Sequence, residues 1–203
     1  IAKIHANREA IISRHQERRL TYRELGIEID LAARALLAAG FSKGERIGIW
    51  STNNVEWLVL QMATARIGAI LVNINPAYRP RELAYALERS RVQGLFTIPS
   101  FSHSNYVDML CELLPELRKG HKDALDNAGL PELRKIIIYD PMDPDGTKAS
   151  HPGFIPWPDF LAAARDVSET ELEAATASLD CDDAINIQYT SGTTGFPKAV
   201  LLT

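Results

Sequence analysis

The sequence predicts an α/β fold: a parallel sheet with helices on both faces. Short apolar runs of strand length alternate with stretches of helical periodicity along the 203 residues, the signature of strand–helix–strand units. Helix start and stop signals punctuate the same stretches. The runs are apolar enough to be buried between layers, as strands of a parallel sheet are.

Ala10 to Ser13 and Arg19 to Thr21 read as a short hairpin around the polar turn from His15 to Arg18. Arg14, Arg18 and Arg19 form a basic cluster without interleaved aromatics, expected to decorate that hairpin. Thr21 with Glu24 makes a capping box, and Tyr22, Leu25, Ile29, Ala32 and Leu36 then recur at helical spacing. Gly40 ends that helix, and Arg46 to Ser51 reads as a buried strand. Asn53 with Glu56 is expected to cap a second helix running to Gly68, with Trp50 and Trp57 packed in the core beside it. Ile70 to Asn73 is the next strand, and Pro80 in a first turn opens a helix over Arg81 to Arg89. A strand at Leu95 to Ile98, a helix at Tyr106 to Leu114 and a strand at Ile136 to Tyr139 follow.

Asp140 to Pro158 holds five prolines and two glycines and is expected to be an irregular surface loop. Leu-Pro-Glu-Leu-Arg-Lys occurs at 114–119 and again at 130–135, but the flanks differ and no repeat architecture is inferred. Ser168 and Glu171 form another capping box inside an acidic stretch that lacks the ligand order of a calcium loop.

A net charge of −4 argues against nucleic acid or an anionic membrane surface as partner. Cys111 and Cys181 lie far apart, and the five histidines include no i, i+4 pair, so no metal site is expected. No window has the ~18 apolar residues of a membrane span. The chain starts at Ile1 without a methionine and stops at Thr203 inside an expected strand, so a trimmed start and a fragment of a longer protein are expected.

The most specific stretch is T-S-G-T-T-G-F-P-K, Thr190 to Lys198. It packs four hydroxyl residues, two glycines and a lysine into nine positions. Glycine allows positive φ and close backbone approach, and successive N–H groups in such turns converge on anions. Thr190, Ser191, Thr193 and Thr194 add hydroxyl donors, and Lys198 adds a point charge suited to phosphate. The apolar runs on either side, Ala184 to Tyr189 and Ala199 to Leu202, predict a loop joining two strands. The P-loop of the usual NTPases instead leads straight into a helix. A glycine-rich hairpin with incidental hydroxyls is the plain alternative.

This motif resembles the phosphate loop of the adenylate-forming superfamily, which comprises acyl-CoA synthetases, peptide-synthetase adenylation domains and firefly luciferase. Further segments fall in that family's order: Leu20 to Leu25, Gly44 to Trp50, Asn53 to Glu56, Gly68 to Pro76 and Glu82-Leu83. Asn73 to Tyr78 together with Ile185 to Tyr189 is most similar to fatty acyl-CoA ligases, medium- or long-chain. Ala199 stands where the family usually has glycine.

The resemblance implies that residues 1–203 are the N-terminal part of an AMP-binding (adenylation) domain, cut just after the phosphate loop, within the large N-terminal domain of an adenylate-forming enzyme. It implies a two-step ligation: a carboxylate and ATP give an acyl-adenylate, and coenzyme A then takes the acyl group. ATP, Mg²⁺ and coenzyme A are the implied cofactors and substrates. Thr190, Ser191, Gly192, Thr193, Thr194, Gly195, Phe196, Pro197 and Lys198 are the implied nucleotide-binding residues, and Lys198 the implied catalytic one, following the departing pyrophosphate. The adenine, ribose, magnesium and catalytic-lysine sites of the family's C-terminal parts are implied to lie past Thr203, so the 203 residues alone are expected to be inactive. An aryl-CoA ligase, a peptide-synthetase adenylation domain and a non-catalytic module of the same fold stay open as alternatives. So do a homodimer, and a mitochondrial matrix location beside the expected cytoplasmic one.

Overall fold

The computed structural model describes residues 2, 4–120, 129–146, 151–190 and 197–203. An N-terminal antiparallel hairpin, β1 (Glu9–Ser13) and β2 (Arg18–Thr21), leads into α1 (Tyr22–Ala38). Thr21 caps α1 through its side chain, and Glu24 returns the bond to the Thr21 backbone. The expected capping box is therefore present. Then come β3 (Arg46–Trp50), α2 (Val55–Arg66), β4 (Ile70–Ile74), α3 (Pro80–Arg89) and β5 (Gly94–Thr97). A two-residue ribbon, β6 (Ser100–Phe101) with β7 (Ser104–Asn105), precedes α4 (Tyr106–Leu113). β8 (Lys135–Ile138), β9 (Ile155–Pro156), α5 (Trp157–Ala162), α6 (Glu169–Ala177), β10 (Asn186–Thr190) and β11 (Lys198–Leu202) complete the order.

Seven strands form the central sheet in the order β11-β10-β4-β3-β5-β8-β9. Every neighbouring pair is parallel except β10 with β11. The chain steps from β3 to β4 on one side and from β4 across to β5 on the other. Right-handed crossovers in opposite directions put their helices on opposite faces. Side chains on β10 confirm this. Asn186 donates to Gln61 of α2 at 3.0 Å, while Tyr189, pointing the other way in the pleat, meets Ser90 and Ala86 at the end of α3. The core is the sheet interior, with Ile47, Ile49, Leu71, Val72, Leu95, Phe96, Ile136 and Ile137 all nearly inaccessible.

The structure corrects three sequence expectations. Asn54, not Asn53, caps α2: its Oδ1 accepts from the Trp57 N–H at 2.8 Å. The region 140–158 is not wholly irregular, because β9 adds a parallel strand beside β8 and α5 starts at Trp157. Arg18 does more than decorate the hairpin. It bridges Glu28 at 2.6 Å and Glu56 at 2.8 Å, and only 6% of the Glu56 side chain is exposed. Gln16 donates to the other Glu56 oxygen at 2.8 Å and accepts from the Val55 N–H at 2.8 Å. The hairpin is thus clamped onto the first turn of α2. The duplicated hexapeptide forms a 3-10 helix at Pro115–Lys119 but a turn running into β8 at its second copy, in keeping with the absence of a repeat.

Glycine is required where β5 passes under Phe41. A Cβ on Gly94 would lie 2.3 Å from Phe41 Cζ, and that ring is 2% exposed with the Arg134 guanidinium 5.2 Å above it. With nowhere for the ring to go, Gly94→Ala is expected to destabilise the fold by about 1–3 kcal/mol, read from urea unfolding of the variant. A loss within experimental error would mean that Phe41 swings out freely.

Candidate functional site

In parallel α/β sheets, ligands settle at the carboxyl ends of the strands. Here β3, β4 and β10 lie side by side and end together, opening a cleft of about 390 Å³. Its polar lining comes from the segments leaving these strands: Ser51, Thr52 and Asn53 after β3, Asn73 and Asn75 at the end of β4, and Gln188 on β10. Trp57, Ile74, Pro76 and Tyr189 complete the walls, and no carboxylate is among the described lining residues.

The cleft floor is held from below. Trp50, at the end of β3, stacks on Tyr106 with ring centroids 3.6 Å apart and planes 5° from parallel. The Trp50 indole N–H donates to the Asn75 carbonyl at 3.2 Å, and the Tyr106 hydroxyl donates to the Pro76 carbonyl. Asn75 Oδ1 accepts from the Ala77 N–H at 2.9 Å, closing the turn. After β3, the Asn54 amide donates to Ser51 Oγ and the Thr52 carbonyl, at 2.9 and 2.8 Å. Both rims are therefore fixed by hydrogen bonds local to strand ends.

Burial pushes the Tyr106 hydroxyl up to about 12, against about 10 for an unfolded tyrosine. Because the folded state holds its proton more tightly, this contribution is fully present below pH ~10 and is lost as pH rises toward ~12. Thermal unfolding in that window should fall more steeply for the native protein than for Tyr106→Phe. Parallel curves would remove Tyr106 from the alkaline transition.

Of the nine sequence-predicted site residues, Thr190, Pro197 and Lys198 are described. The predicted Ser191, Gly192, Thr193, Thr194, Gly195 and Phe196 lie outside the described residues. The structure places Thr190 directly opposite Lys198 in the antiparallel pair β10–β11. The loop accordingly joins two strands, as its apolar flanks predict, and leaves from the carboxyl end of β10 beside the cleft. Residues facing each other across an antiparallel pair share a face of the sheet, as do alternate residues of one strand. Lys198, Thr190, Gln188 and Asn186 therefore share the α2 face. On the other face Tyr189 is anchored: its hydroxyl lies 2.7 Å from Ser90 Oγ and 3.1 Å from the Ala86 carbonyl. Burial raises its pKa, with the Ser90 bond opposing. Ala199 pairs with Tyr189 and is exposed, leaving room for its methyl group where the resembling family has glycine.

The cleft's amides escaped the sequence reading. The signal available was the recurrence of asparagine at strand ends, Asn53-Asn54 after β3, Asn73 in β4 and Asn75 just after it. A second cavity of about 260 Å³, more apolar, lies at the ends of β5 and β8 between Pro99, Tyr139 and Trp157 and holds none of the predicted residues. Among the described residues, Asp180, Cys181 and Asp182 could together hold a metal ion, but they are exposed and precede β10, at the strand end away from the loop. No helix among the described residues is long and apolar enough to cross a membrane.

A family model described as AMP-binding enzyme matches residues 1–203. The mitochondrial medium-chain acyl-CoA ligase ACSF2 of Bos taurus is 38% identical over 197 residues, 97% of this chain and 31% of that protein. Its counterpart in Danio rerio is 36% identical over 196 residues, again 97% of this chain and 31% of the relative. Among solved structures, a fatty acyl CoA synthetase of Mycobacterium tuberculosis superposes with a TM-score of 0.69 at 20% identity, covering 100% of this chain and 32% of that one. The N-terminal domain of FACL13 from the same organism gives 0.68 at 20% identity, covering 99% and 41%. The fold is thus that of the N-terminal portion of such enzymes, and the chain spans about a third of the length of the curated relatives it matches.

Proposed function

Because the chain belongs to the AMP-binding enzyme family, we propose that residues 1–203 form the phosphate-loop part of the adenylation domain of an ATP-dependent acid–thiol ligase. One observation carries the reading: Thr190 and Lys198 face each other at the mouth of a strand–loop–strand unit, at the carboxyl end of a parallel sheet and beside a polar cleft. The substrate class proposed is a fatty acid, medium- or long-chain, by analogy with relatives whose names say medium-chain acyl-CoA ligase. ATP and coenzyme A are the other substrates. The cytoplasm is the compartment proposed, with the mitochondrial matrix as the alternative, since the same relatives are named mitochondrial.

In the proposed reaction a carboxylate oxygen bonds to the α-phosphorus of ATP. The bond from that phosphorus to the bridging oxygen breaks, and its electron pair leaves with pyrophosphate. Coenzyme A sulfur then bonds to the acyl carbon, and AMP leaves. Charge builds on the departing diphosphate in the first step, so donors preorganised around it lower the barrier. Thr190, Ser191, Thr193, Thr194 and loop N–H groups would hold the phosphates, Gly192 and Gly195 would let the backbone approach, and Lys198 would follow the leaving group. Magnesium prefers carboxylate and phosphate oxygens, and the cleft beside the loop offers no carboxylate. These residues therefore do not make a magnesium site by themselves.

Carboxylate-dependent ATP–pyrophosphate exchange by the full-length protein tests the reading, using acetate, octanoate, palmitate, benzoate and several amino acids. Exchange with the fatty acids is expected. Exchange only with benzoate or amino acids would move the assignment to an aryl or aminoacyl substrate. None with any acid would overturn the ligase reading in favour of a non-catalytic module.

A further inference from the structure

We propose that the cleft at the ends of β3, β4 and β10 is a pyrophosphate subsite beyond the phosphate loop, with Thr52, Asn53, Asn75 and Gln188 receiving the diphosphate as it leaves the α-phosphorus. The inference rests on the ligase reading for the identity of the anion; the site's preference for an anion follows from its own chemistry.

The amide orientations are informative. Asn75 Oδ1 accepts from the Ala77 N–H, a backbone donor that requires an oxygen at that position. Its NH₂ group has no partner among the described residues. Gln188 Oε1 likewise accepts from the Asn73 amide at 3.3 Å, and the Gln188 NH₂ has no partner among the described residues. The Asn53 side chain and the Thr52 hydroxyl have no partner among the described residues. The cleft therefore offers donors whose companion acceptors are already occupied at two positions. Among the described lining residues no carboxylate repels an anion.

The N-terminus of α2 does not explain this preference. Its Val55 and Trp57 N–H groups are already taken by Gln16 and by the Asn54 cap. Placement explains why the anion would be this one. Gln188 lies two residues before Thr190 on the same sheet face, roughly 7 Å along the strand, and Lys198 shares that face through its register with Thr190. A lysine that follows the leaving diphosphate away from the α-phosphate would, along that face, come to a carboxylate-free cleft of about 390 Å³. Neutral amides suit a departure site, because they hold an anion without the full charge that would trap it.

The test places a carboxylate in the cleft without changing shape. Gln188→Glu and Asn75→Asp keep the oxygens that accept from Asn73 and Ala77, and Asn53→Asp alters an exposed position with no fold contact at stake. In the full-length protein, the apparent KM for pyrophosphate in the exchange reaction should rise about tenfold or more in each variant, since like charges a few ångströms apart repel strongly in a partly buried cleft. The apparent KM for octanoate should stay within twofold. Calorimetric titration with pyrophosphate alone should show the same tenfold loss, and this arm does not depend on turnover. Pyrophosphate affinity within twofold of wild type in all three variants would overturn the subsite, even with exchange intact. Equal weakening of octanoate and pyrophosphate would also overturn it, since that reports distortion and not charge. A wild type that exchanges with no acid sinks the ligase reading instead; pyrophosphate binding that is tenfold weaker in the variants would still uphold the anion site.

Discussion

Lys198→Ala in the full-length protein is expected to lower carboxylate-dependent ATP–pyrophosphate exchange about 100-fold or more, the usual cost of removing one preorganised donor from a developing negative charge. The side chain is exposed at the start of β11 and makes no ion pair among the described residues, so the fold should not register the change. Its backbone, which accepts from Thr190 Oγ1 at 3.5 Å, is untouched. The loss should fall on kcat and not on the KM for the fatty acid, because the charge that Lys198 meets exists only as pyrophosphate departs. Lys198→Arg should recover part of the rate, since the charge is kept while the planar fork fits a moving phosphate less well. A change under threefold for Lys198→Ala, with an unaltered melting curve, would remove the residue from the chemistry.

What the sequence disclosed divides along a physical line between local and non-local signals. The capping boxes at Thr21 and Ser168 lie within four residues of chain and appear in the structure as predicted. The strands around the switch from β4 to β5 were legible because each is a short apolar run. The cap of α2 was misplaced by one position because Asn53 and Asn54 are chemically alike. Only the fold decides that Asn54 faces the helix while Glu56 is drawn away to Arg18. Arg18 itself was misread since its partners lie 10 and 38 residues off in sequence, beyond any local pattern. The phosphate loop was legible as a motif. The cleft beside it was not, because three strand ends far apart in the chain have to meet before six separate polar side chains become one lining.

Trp50→Ala tests whether that lining has to be held in place. The ring is fully buried, stacked face to face on Tyr106, and bonded to the Asn75 carbonyl. Truncation of such a ring costs about 3–5 kcal/mol through lost burial and the cavity left behind. At ~2–4 °C per kcal/mol for a domain of this size, the melting temperature should drop by roughly 10 °C. Trp50→Phe separates the two roles. It keeps an aromatic face for Tyr106 but removes the N–H and part of the bicyclic ring, while the Asn75 carbonyl still accepts from the Tyr78 N–H at 3.0 Å. The expected cost is therefore about 1–3 kcal/mol, below that of Trp50→Ala. Asn75 would then lose the strut that fixes its turn against β3. If the cleft binds pyrophosphate as proposed, Trp50→Phe should weaken pyrophosphate severalfold at a smaller loss of stability than Trp50→Ala. A variant equal to wild type in pyrophosphate affinity would show that the Ala77 bond alone fixes Asn75. A loss under 1 kcal/mol for Trp50→Ala would mean that the stack on Tyr106 does not hold the cleft floor.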